Sequence, residues 1–207
     1  MLKAIFLGLA LYEGTIQVSE TIERHHYWKL AREYCDKTGK QLLRIGIRRS
    51  PFEPPNGDVT LDIDPIVLEI KGGVLGDERR MPFADKQFGV CFNEHTLEHL
   101  VQPEDVELAV NECVRVADIA ILLAPSPYSL VATFFCPTHN LRLWFEGNTI
   151  RVKRNEYITG AGFPQSLYPD PRNLGLSGIG QAIITKSVLK VYVLQENLVL
   201  SDGSHVL

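Results

Sequence analysis

Short apolar runs separated by polar segments recur from residue 42 to residue 124, and they predict the strands of a sheet. The last of these runs is apolar at nearly every position, which is typical of a central strand buried on both faces. The turn residues Gly, Pro and Asp flank most of the runs. Five parallel strands are therefore predicted, near residues 42–47, 58–63, 74–76, 88–93 and 119–124.

Two segments have the periodicity of amphipathic helices. The first covers residues 19–37, with Ser19 as the N-cap and Gly39 as the C-terminal stop. The second covers residues 102–116 and has Pro103 in its first turn. Alternating strands and helices predict an α/β fold, with a doubly wound and mostly parallel sheet.

Proline content sets one segment apart from this alternation. Residues 48–57 directly follow the first strand and contain three prolines, Pro51, Pro54 and Pro55. Proline removes a backbone donor and restricts the residue before it. We therefore expect no long helix after the first strand.

The pattern changes after residue 125, where antiparallel strands are predicted. Residues 141–145 and 149–152 lie on either side of a Gly-Asn pair, which indicates a hairpin. Residues 187–194 and 197–200 resemble a second strand pair. Residues 157–180 are rich in glycine and proline and predict a long loop or lid.

The first twelve residues are apolar but too few to span a bilayer, which requires about 20. We interpret residues 1–18 either as part of the core or as a docking segment for a protein partner or a membrane surface. In both cases residues 2–12 should be ordered by packing against something. The remainder, residues 19–207, is expected to be one domain, with residues 126–186 as a loop-rich insertion or lid.

Composition adds few constraints on function. The chain has 207 residues, is 45% hydrophobic and has a net charge of −4 with acids and bases intermixed, so nucleic-acid binding is not indicated. Its four cysteines are far apart, so we expect neither a metal site nor a disulfide framework. This cysteine usage predicts a reducing compartment, the cytoplasm, with peripheral membrane attachment through the N-terminus as the alternative.

Acidic and polar residues follow three successive predicted strands. Asp62 and Asp64 follow the second strand, Asp77 follows the third, and residues 93–95 follow the fourth. Ligands of doubly wound sheets bind at the carboxyl ends of the strands, where an acid can accept hydrogen bonds from a ribose. These positions predict a nucleoside pocket, although a single acid at a strand end is more often a turn or cap residue.

Several motifs over residues 41–129 occur together in a fixed order: LLRIGI, DVTLDIDP, GDERRMPFADKQFGVCFNEHTLEHL, NECVRV and ILLAPSPYSL. In these motifs the sequence resembles the class I S-adenosylmethionine-dependent methyltransferases. Residues 76–100 are the most specific part of the resemblance.

The resemblance implies S-adenosylmethionine as the cofactor and assigns it a set of residues. Asp62 would bind the ribose, with Asp64 as the second choice, and Asp77 would bind the adenine edge. Met81 would pack on the adenine ring. Asn93, Glu94 and His95 would line the methionine end, and Glu94 or His95 would act as a base if the acceptor must lose a proton.

The first loop departs from the family pattern. Only Gly46 remains of the glycine-rich motif, Arg48 stands where a second glycine is expected, and Arg44 stands where an acid is usual. Either Arg48 or Arg49 contacts the cofactor carboxylate, or the bulky loop blocks the site. We thus expect a methyltransferase with an unidentified acceptor or, alternatively, a non-catalytic methyltransferase-like subunit that serves as a scaffold or binding module. A nucleoside-binding module of another kind is the third interpretation.

Overall fold

The computed structural model describes residues 2–146, 149–155, 181–185 and 190–193. Its main sheet has six strands in the order β3-β2-β1-β4-β5-β8. The strands of this sheet are β1 (Leu42–Ile45), β2 (Val59–Asp62), β3 (Gly73–Leu75), β4 (Phe88–Glu94), β5 (Ala117–Ala124) and β8 (Gln181–Thr185). The first five are parallel to one another, and β8 pairs antiparallel with β5 at one edge. The strand order reverses between β1 and β4, which is where such sheets bind ligands.

The five predicted parallel strands are confirmed, with ends that differ by three residues at most. The doubly wound α/β fold class is confirmed with them. The sequence gives no warning of β8, because its glycine-rich approach and its position beyond a long loop hide the strand pattern.

The first helix is much longer than predicted. It runs as α1 from Leu2 to Thr38, so Ser19 lies inside the helix instead of capping it, and residues 2–18 share one element with the residues that follow. Gly14 is tolerated because a single glycine costs a helix only about 1 kcal/mol relative to alanine. Gly39 ends the helix as predicted, with a φ of 67° and a hydrogen bond from the Lys40 N–H to the Cys35 carbonyl.

The apolar side chains at the start of α1 do not pack against the described part of the chain. Ile5, Phe6, Leu7 and Leu11 are each at least half exposed. Contact with the domain begins near Tyr12, whose hydroxyl donates to the carbonyl of Tyr128. Whether a partner or a membrane surface covers residues 2–11 stays a prediction.

Helices cover both faces of the sheet, which accounts for the nearly uniform apolarity of the central strand β5. On one face, Ala31 and Cys35 of α1 pack with Leu42, Val90 and Phe92. On the other face, helix α2 (Pro103–Val116) packs its apolar side on alternate residues of the same strands. Among the described residues, no helix is long and apolar enough to cross a membrane.

A second, smaller sheet lies on the α2 side. The predicted hairpin is confirmed as β6 (Leu141–Glu146) and β7 (Thr149–Arg154), while its Gly-Asn turn falls outside the described residues. Strand β9 (Lys190–Val193) pairs with β7 in parallel and lies within the predicted strand 187–194, whose other residues fall outside the described part of the chain. Residues 157–180 and 197–200 also fall outside the described residues.

The segment after β1 contains no helix, as its prolines predict. The connection from β2 to β3 is a single 3₁₀ turn, Pro65–Glu69, for which Asp64 is the N-cap. Within the described chain, α2 is the one α-helical crossover between parallel strands. Loops and not helices therefore follow the carboxyl ends of β1 and β2. These loops form one wall of the cleft described next.

Candidate functional site

A cleft of about 740 Å³ opens at the carboxyl ends of β1, β2 and β4. Five parts of the chain line it: α1 through Arg24, the loop after β1, the ends of β2 and β3, the turn after β4, and residues 136–139. The parallel strands bring their carboxyl ends to one edge, so residues far apart in sequence meet there.

Asp62 is held at the end of β2 by two backbone donors. Its Oδ2 accepts from the N–H of Ile47 at 2.8 Å, and its Oδ1 accepts from the N–H of Asp64 at 2.8 Å. Each carboxylate oxygen can accept more than one hydrogen bond, so acceptor capacity remains on the cleft side. The carboxylate is thereby fixed in position and can still bind a pair of hydroxyl groups.

Asp77, beyond the end of β3, also lines the cleft but is paired with a cation. Arg79 donates to both of its oxygens, from Nη2 to Oδ2 at 2.6 Å, and binds Asp105 at 3.0 Å. The hydrogen bonds from Arg79 hold the pKa of Asp77 below its ordinary value. Both side chains are about 40% exposed, so this ion pair is open to exchange with a ligand.

The loop after β1 passes close to the turn after β4. Gly46 has a φ of 83°, and a Cβ at this position would lie 3.0 Å from the Thr96 side chain. The Arg48 side chain folds back on its own loop and donates to the carbonyls of Ser50 and Pro51. Arg49, in contrast, lines the cleft and pairs with Asp64 at 2.9 Å.

Four buried or half-buried charged groups form an ion cluster on the α1 side of the cleft. Glu94 lies 3.0 Å from Arg24 and 3.4 Å from Arg44, and Arg44 also binds Glu53 at 3.1 Å. The Arg44 guanidinium also donates hydrogen bonds to the carbonyl oxygens of Pro54 and Pro55, so the proline-rich loop supplies further acceptors for it. Burial raises the pKa of Glu94 and lowers that of Arg44, and each opposes the effect on the other.

Asn93 organises the floor near the end of β4. Its side-chain amide donates to Glu78 at 2.7 Å and its oxygen accepts from Thr96 at 2.7 Å, while Thr96 and Glu78 are 2.9 Å apart. The position of Glu78 away from solvent raises its pKa to about 7. The three side chains tie the end of β3 to the turn after β4.

Three histidines and a glutamate line the part of the cleft formed by the turn after β4 and residues 136–139. His95, with a φ of 52°, begins the turn, and Glu98, His99 and His139 surround the same space. Burial raises the pKa of Glu98 to about 8 and lowers that of His95 well below its ordinary value. Burial and the neighbouring His99 lower the pKa of His139 to about 4.

The structure separates the residues predicted from sequence into two groups. Asp62, Asp77, Glu94 and His95 line the cleft, and so do Ile45 and Ile47, the neighbours of Gly46. The others lie elsewhere: Arg48 turns into its own loop, Asp64 caps a 3₁₀ turn, Met81 is a core residue with 4% exposure, and Asn93 is fully buried. Among the described residues, Arg49 lines the cleft and Arg48 does not, while the two sequence-based accounts of this loop, contact with the cofactor or obstruction of it, stay predictions.

Several lining residues escaped the sequence-based prediction. Arg24 comes from a helix whose position over the sheet could not be inferred, and His139 from a segment with no motif. Glu98 and His99 belong to the LEHL motif, in which His99 had a structural interpretation. The signal that could have found Glu98 and His99 is the close spacing of two histidines and two acids within residues 94–99.

Comparison with known proteins gives one family match. Residues 59–118 match the model of the family described as "Methyltransferase domain". These residues run from β2 through α2 to the start of β5 and so include Asp62, Asp77 and His95. No curated protein sequence matches the chain.

Solved structures similar to the chain include three from microorganisms. An S-adenosylmethionine-dependent methyltransferase from Archaeoglobus fulgidus is 22% identical, with 62% of this chain and 65% of that one covered and a TM-score of 0.44. One from Clostridium acetobutylicum is 11% identical, with 56% and 55% covered and a TM-score of 0.37. The YcgJ protein of Bacillus subtilis is 14% identical, with 69% and 86% covered and a TM-score of 0.35. The chain thus spans between about half and two thirds of the two methyltransferases.

The family match overlaps the part of the cleft that is formed by the ends of β2 and β3 and by the turn after β4. It begins at the strand that carries Asp62 and continues through the crossover helix between β4 and β5. The strand order and the acids at successive strand ends agree with the same assignment. Residues 59–118 are thus similar to the methyltransferase domain family, and the doubly wound sheet that contains them is in agreement with this similarity.

Proposed function

We propose that this chain is a methyltransferase that binds S-adenosylmethionine in the cleft and methylates an acceptor bound beside it. The observation that carries the proposal is the open cleft, with Asp62 and Asp77 held at the ends of neighbouring strands. The cofactor supplies a methyl group on a positively charged sulfur. The chain's own residues bind, orient and shield the reactants, and such positioning accounts for much of the rate of this kind of reaction.

The nucleoside half of the cofactor fits the residues present. A ribose offers two hydroxyl donors, and both oxygens of Asp62 retain acceptor capacity. An adenine amino group can bind Asp77, whose pairing with Arg79 is half exposed. The Gly46–Ile47 backbone borders the cleft, where a side chain at residue 46 would collide with Thr96.

The methionine half of the cofactor fits the charged side chains at the cleft wall, although these include an arginine where the family usually has an acid. An amino acid end needs a cation for its carboxylate and an anion for its ammonium group. Arg49 and the cluster of Arg24, Arg44 and Glu94 provide both signs at the cleft wall. Arg44 replaces the family's usual acid, so Glu94 would bind the ammonium group in its place.

His95 is the better placed of the two proposed bases. Glu94 is occupied by ion pairs with two arginines, whereas the His95 side chain borders the cleft with 18% exposure. A base is needed only for an acceptor that loses a proton. Glu94 would then act in binding, and His95 in proton removal.

Ligand binding tests the proposal without knowledge of the acceptor. S-adenosylhomocysteine at about 100 times its Kd should stabilise the fold by ~2.7 kcal/mol, because it binds only the native state. Asp62→Asn should weaken binding by about tenfold or more, since one charged acceptor for two hydroxyls is lost. Calorimetric titration gives the Kd, and thermal unfolding gives the stabilisation.

Asp36→Asn is the matched control, because Asp36 is exposed on α1, does not line the cleft and should leave the Kd nearly unchanged. If folded wild-type protein binds neither the cofactor nor its product at millimolar concentration, the methyltransferase proposal fails. The buried Arg44 then favours the second function, a non-catalytic scaffold whose ion cluster closes the methionine end.

A further inference from the structure

Three electron-pair donors converge in the part of the cleft that is lined by the turn after β4 and residues 136–139. They are one carboxylate oxygen of Glu98 and ring nitrogens of His99 and His139, all within 4.8 Å of one another. Glu98 Oε1 lies 4.0 Å from Nε2 of His99 and 3.8 Å from Nε2 of His139. Residues 98 and 139 are distant in sequence and are brought together by the packing of β6 against the turn after β4.

Backbone carbonyls fix which nitrogen of each ring faces the carboxylate. Nδ1 of His99 lies 2.9 Å from the carbonyl oxygen of Thr138, and Nδ1 of His139 lies 3.1 Å from that of Ala132. A carbonyl oxygen only accepts, so each Nδ1 must carry the proton. In a neutral ring, Nε2 then carries the lone pair. The Nε2 atoms of His99 and His139 are both near the carboxyl group of Glu98.

Glu98 has no hydrogen-bond partner for either carboxylate oxygen within the described chain. Its side chain is 2% exposed, so water does not solvate it freely. The distances of 3.8 and 4.0 Å to the imidazole nitrogens are too long for hydrogen bonds. An unpartnered buried carboxylate is costly, and a cation between these donors would remove that cost.

We propose that Glu98, His99 and His139 bind one divalent transition-metal ion of the zinc type. Two imidazoles and a carboxylate are a ligand set suited to Zn²⁺, Co²⁺ or Fe²⁺ and poorly suited to Mg²⁺ or Ca²⁺. An ion with bonds of about 2.1 Å in tetrahedral geometry holds its donors ~3.4 Å apart. The donors therefore need to move by less than about 1 Å.

The surroundings resemble those of metal ligands in two respects. Each imidazole is oriented through Nδ1 by a backbone carbonyl, as metal-bound histidines usually are. His95 supplies a further nitrogen, with Nδ1 3.9 Å from Glu98 Oε1. All four side chains line the cleft, so the ion's remaining coordination positions face it and are open to water.

This site goes beyond the proposed methyltransferase function and does not depend on it. The three proposed ligands are not residues assigned to the cofactor, whose nucleoside acids lie at the ends of β2 and β3. His95, the proposed base, adjoins the three ligands and is not counted among them. Metal binding can therefore succeed where cofactor binding fails, and the reverse.

Metal titration of the whole chain, after dialysis against a chelator, tests the proposal. We expect one Zn²⁺ per chain by competition with a chromophoric indicator, and visible absorption bands on addition of Co²⁺. Glu98→Gln and His139→Ala should each weaken Zn²⁺ binding by more than ~100-fold, beyond the usual effect of losing an outer partner of a ligand. Glu98→Gln should melt no lower than wild type, because it replaces a buried acid, whose oxygens have no hydrogen-bond partner within the described chain, by an uncharged side chain of similar size.

His26→Ala is the matched control, since His26 is exposed on α1 and should leave the affinity unchanged. Cys136→Ser tests whether the nearby thiol is a ligand, and we expect no change. Failure of Zn²⁺ and Co²⁺ to bind at micromolar concentration overturns the proposal. Binding that persists undiminished in both Glu98→Gln and His139→Ala also overturns it, because the ion is then elsewhere.

Discussion

Individual acids in this molecule have very different surroundings, and Glu20 of α1 shows the consequence for stability. Its side chain is 6% exposed and accepts a hydrogen bond from the Ser126 N–H. Burial raises its pKa from 4.5 to about 7, although the Ser126 hydrogen bond and Arg24 oppose the shift and Glu13 and Glu23 add to it. The folded protein therefore favours the protonated form of Glu20.

The pH dependence of stability follows from the sign of this shift. The contribution is fully present below pH 4.5, the unfolded value, and is lost as the pH rises through about 7. A shift of this size corresponds to about 3 kcal/mol. Glu20→Gln keeps an acceptor for Ser126 without the charge, so it should unfold at higher urea concentration than wild type at pH 8.

At pH 4.5 the two proteins should differ little. Glu107→Gln, on the exposed side of α2, is the control and should not alter the pH dependence. Equal urea midpoints for wild type and Glu20→Gln at pH 8 would contradict the prediction.

The sequence-predicted residues that lie at the cleft are those whose position along a strand determines their position in space. Asp62 and Asp77 follow strands, and the strands' parallel order brings both to the cleft. The contacts of Glu98 with His139 depend on how β6 packs, which no local pattern encodes. The direction of Arg48 depends on hydrogen bonds within its own loop, so neither its contact nor its obstruction of the cofactor could be decided beforehand.

At the scale of elements, strands were predicted better than helices. Uniform apolarity marks β4 and β5 because helices cover both faces of the sheet. The start of α1 was placed too late, since an apolar run of twelve residues is compatible with a strand or a helix. Gly14 added to this error, because glycine is a poor indicator of helix.

Replacement by alanine should change the stability of the protein in opposite directions at Gly14, within α1, and at Gly39, directly after its last residue. A Cβ on Gly14 meets nothing within 4 Å, so Gly14→Ala should raise the free energy of unfolding by about 1 kcal/mol. Gly39 has a φ of 67°, a conformation that is unfavourable for alanine. Gly39→Ala should therefore lower the free energy of unfolding by ~1 to 2 kcal/mol. Chemical unfolding of the two variants measures both effects.

The contrast between the two glycines is its own control, because both substitutions add the same methyl group. A Gly14→Ala variant less stable than wild type would show that α1 is interrupted near residue 14.

For the whole molecule, the distribution of contacts predicts a gradient of local stability. β1, β4 and β5 are paired on both sides and buried on both faces, whereas residues 3–11 are helical but exposed. Amides that open only on global unfolding are expected in the central strands, and fraying is expected at the start of α1. Hydrogen exchange should therefore be slowest in β4 and fastest in residues 3–11. Equal protection of the two would mean that residues 3–11 are covered by another molecule or a second copy.

The buried Arg44 limits how this sequence can change. Arg44, Arg24, Glu53 and Glu94 balance two positive against two negative charges in a small space. Restoring the acid usual in the family, by Arg44→Asp alone, would leave three carboxylates facing one guanidinium, and the isolated charges would be costly to bury. Its effect should depend on the residues at 53 and 94, so substitutions at these positions are epistatic. A lineage with this cluster can acquire an acid at position 44 only together with substitutions at positions 53 or 94. The arginine at position 44 is in that sense evolutionarily entrenched.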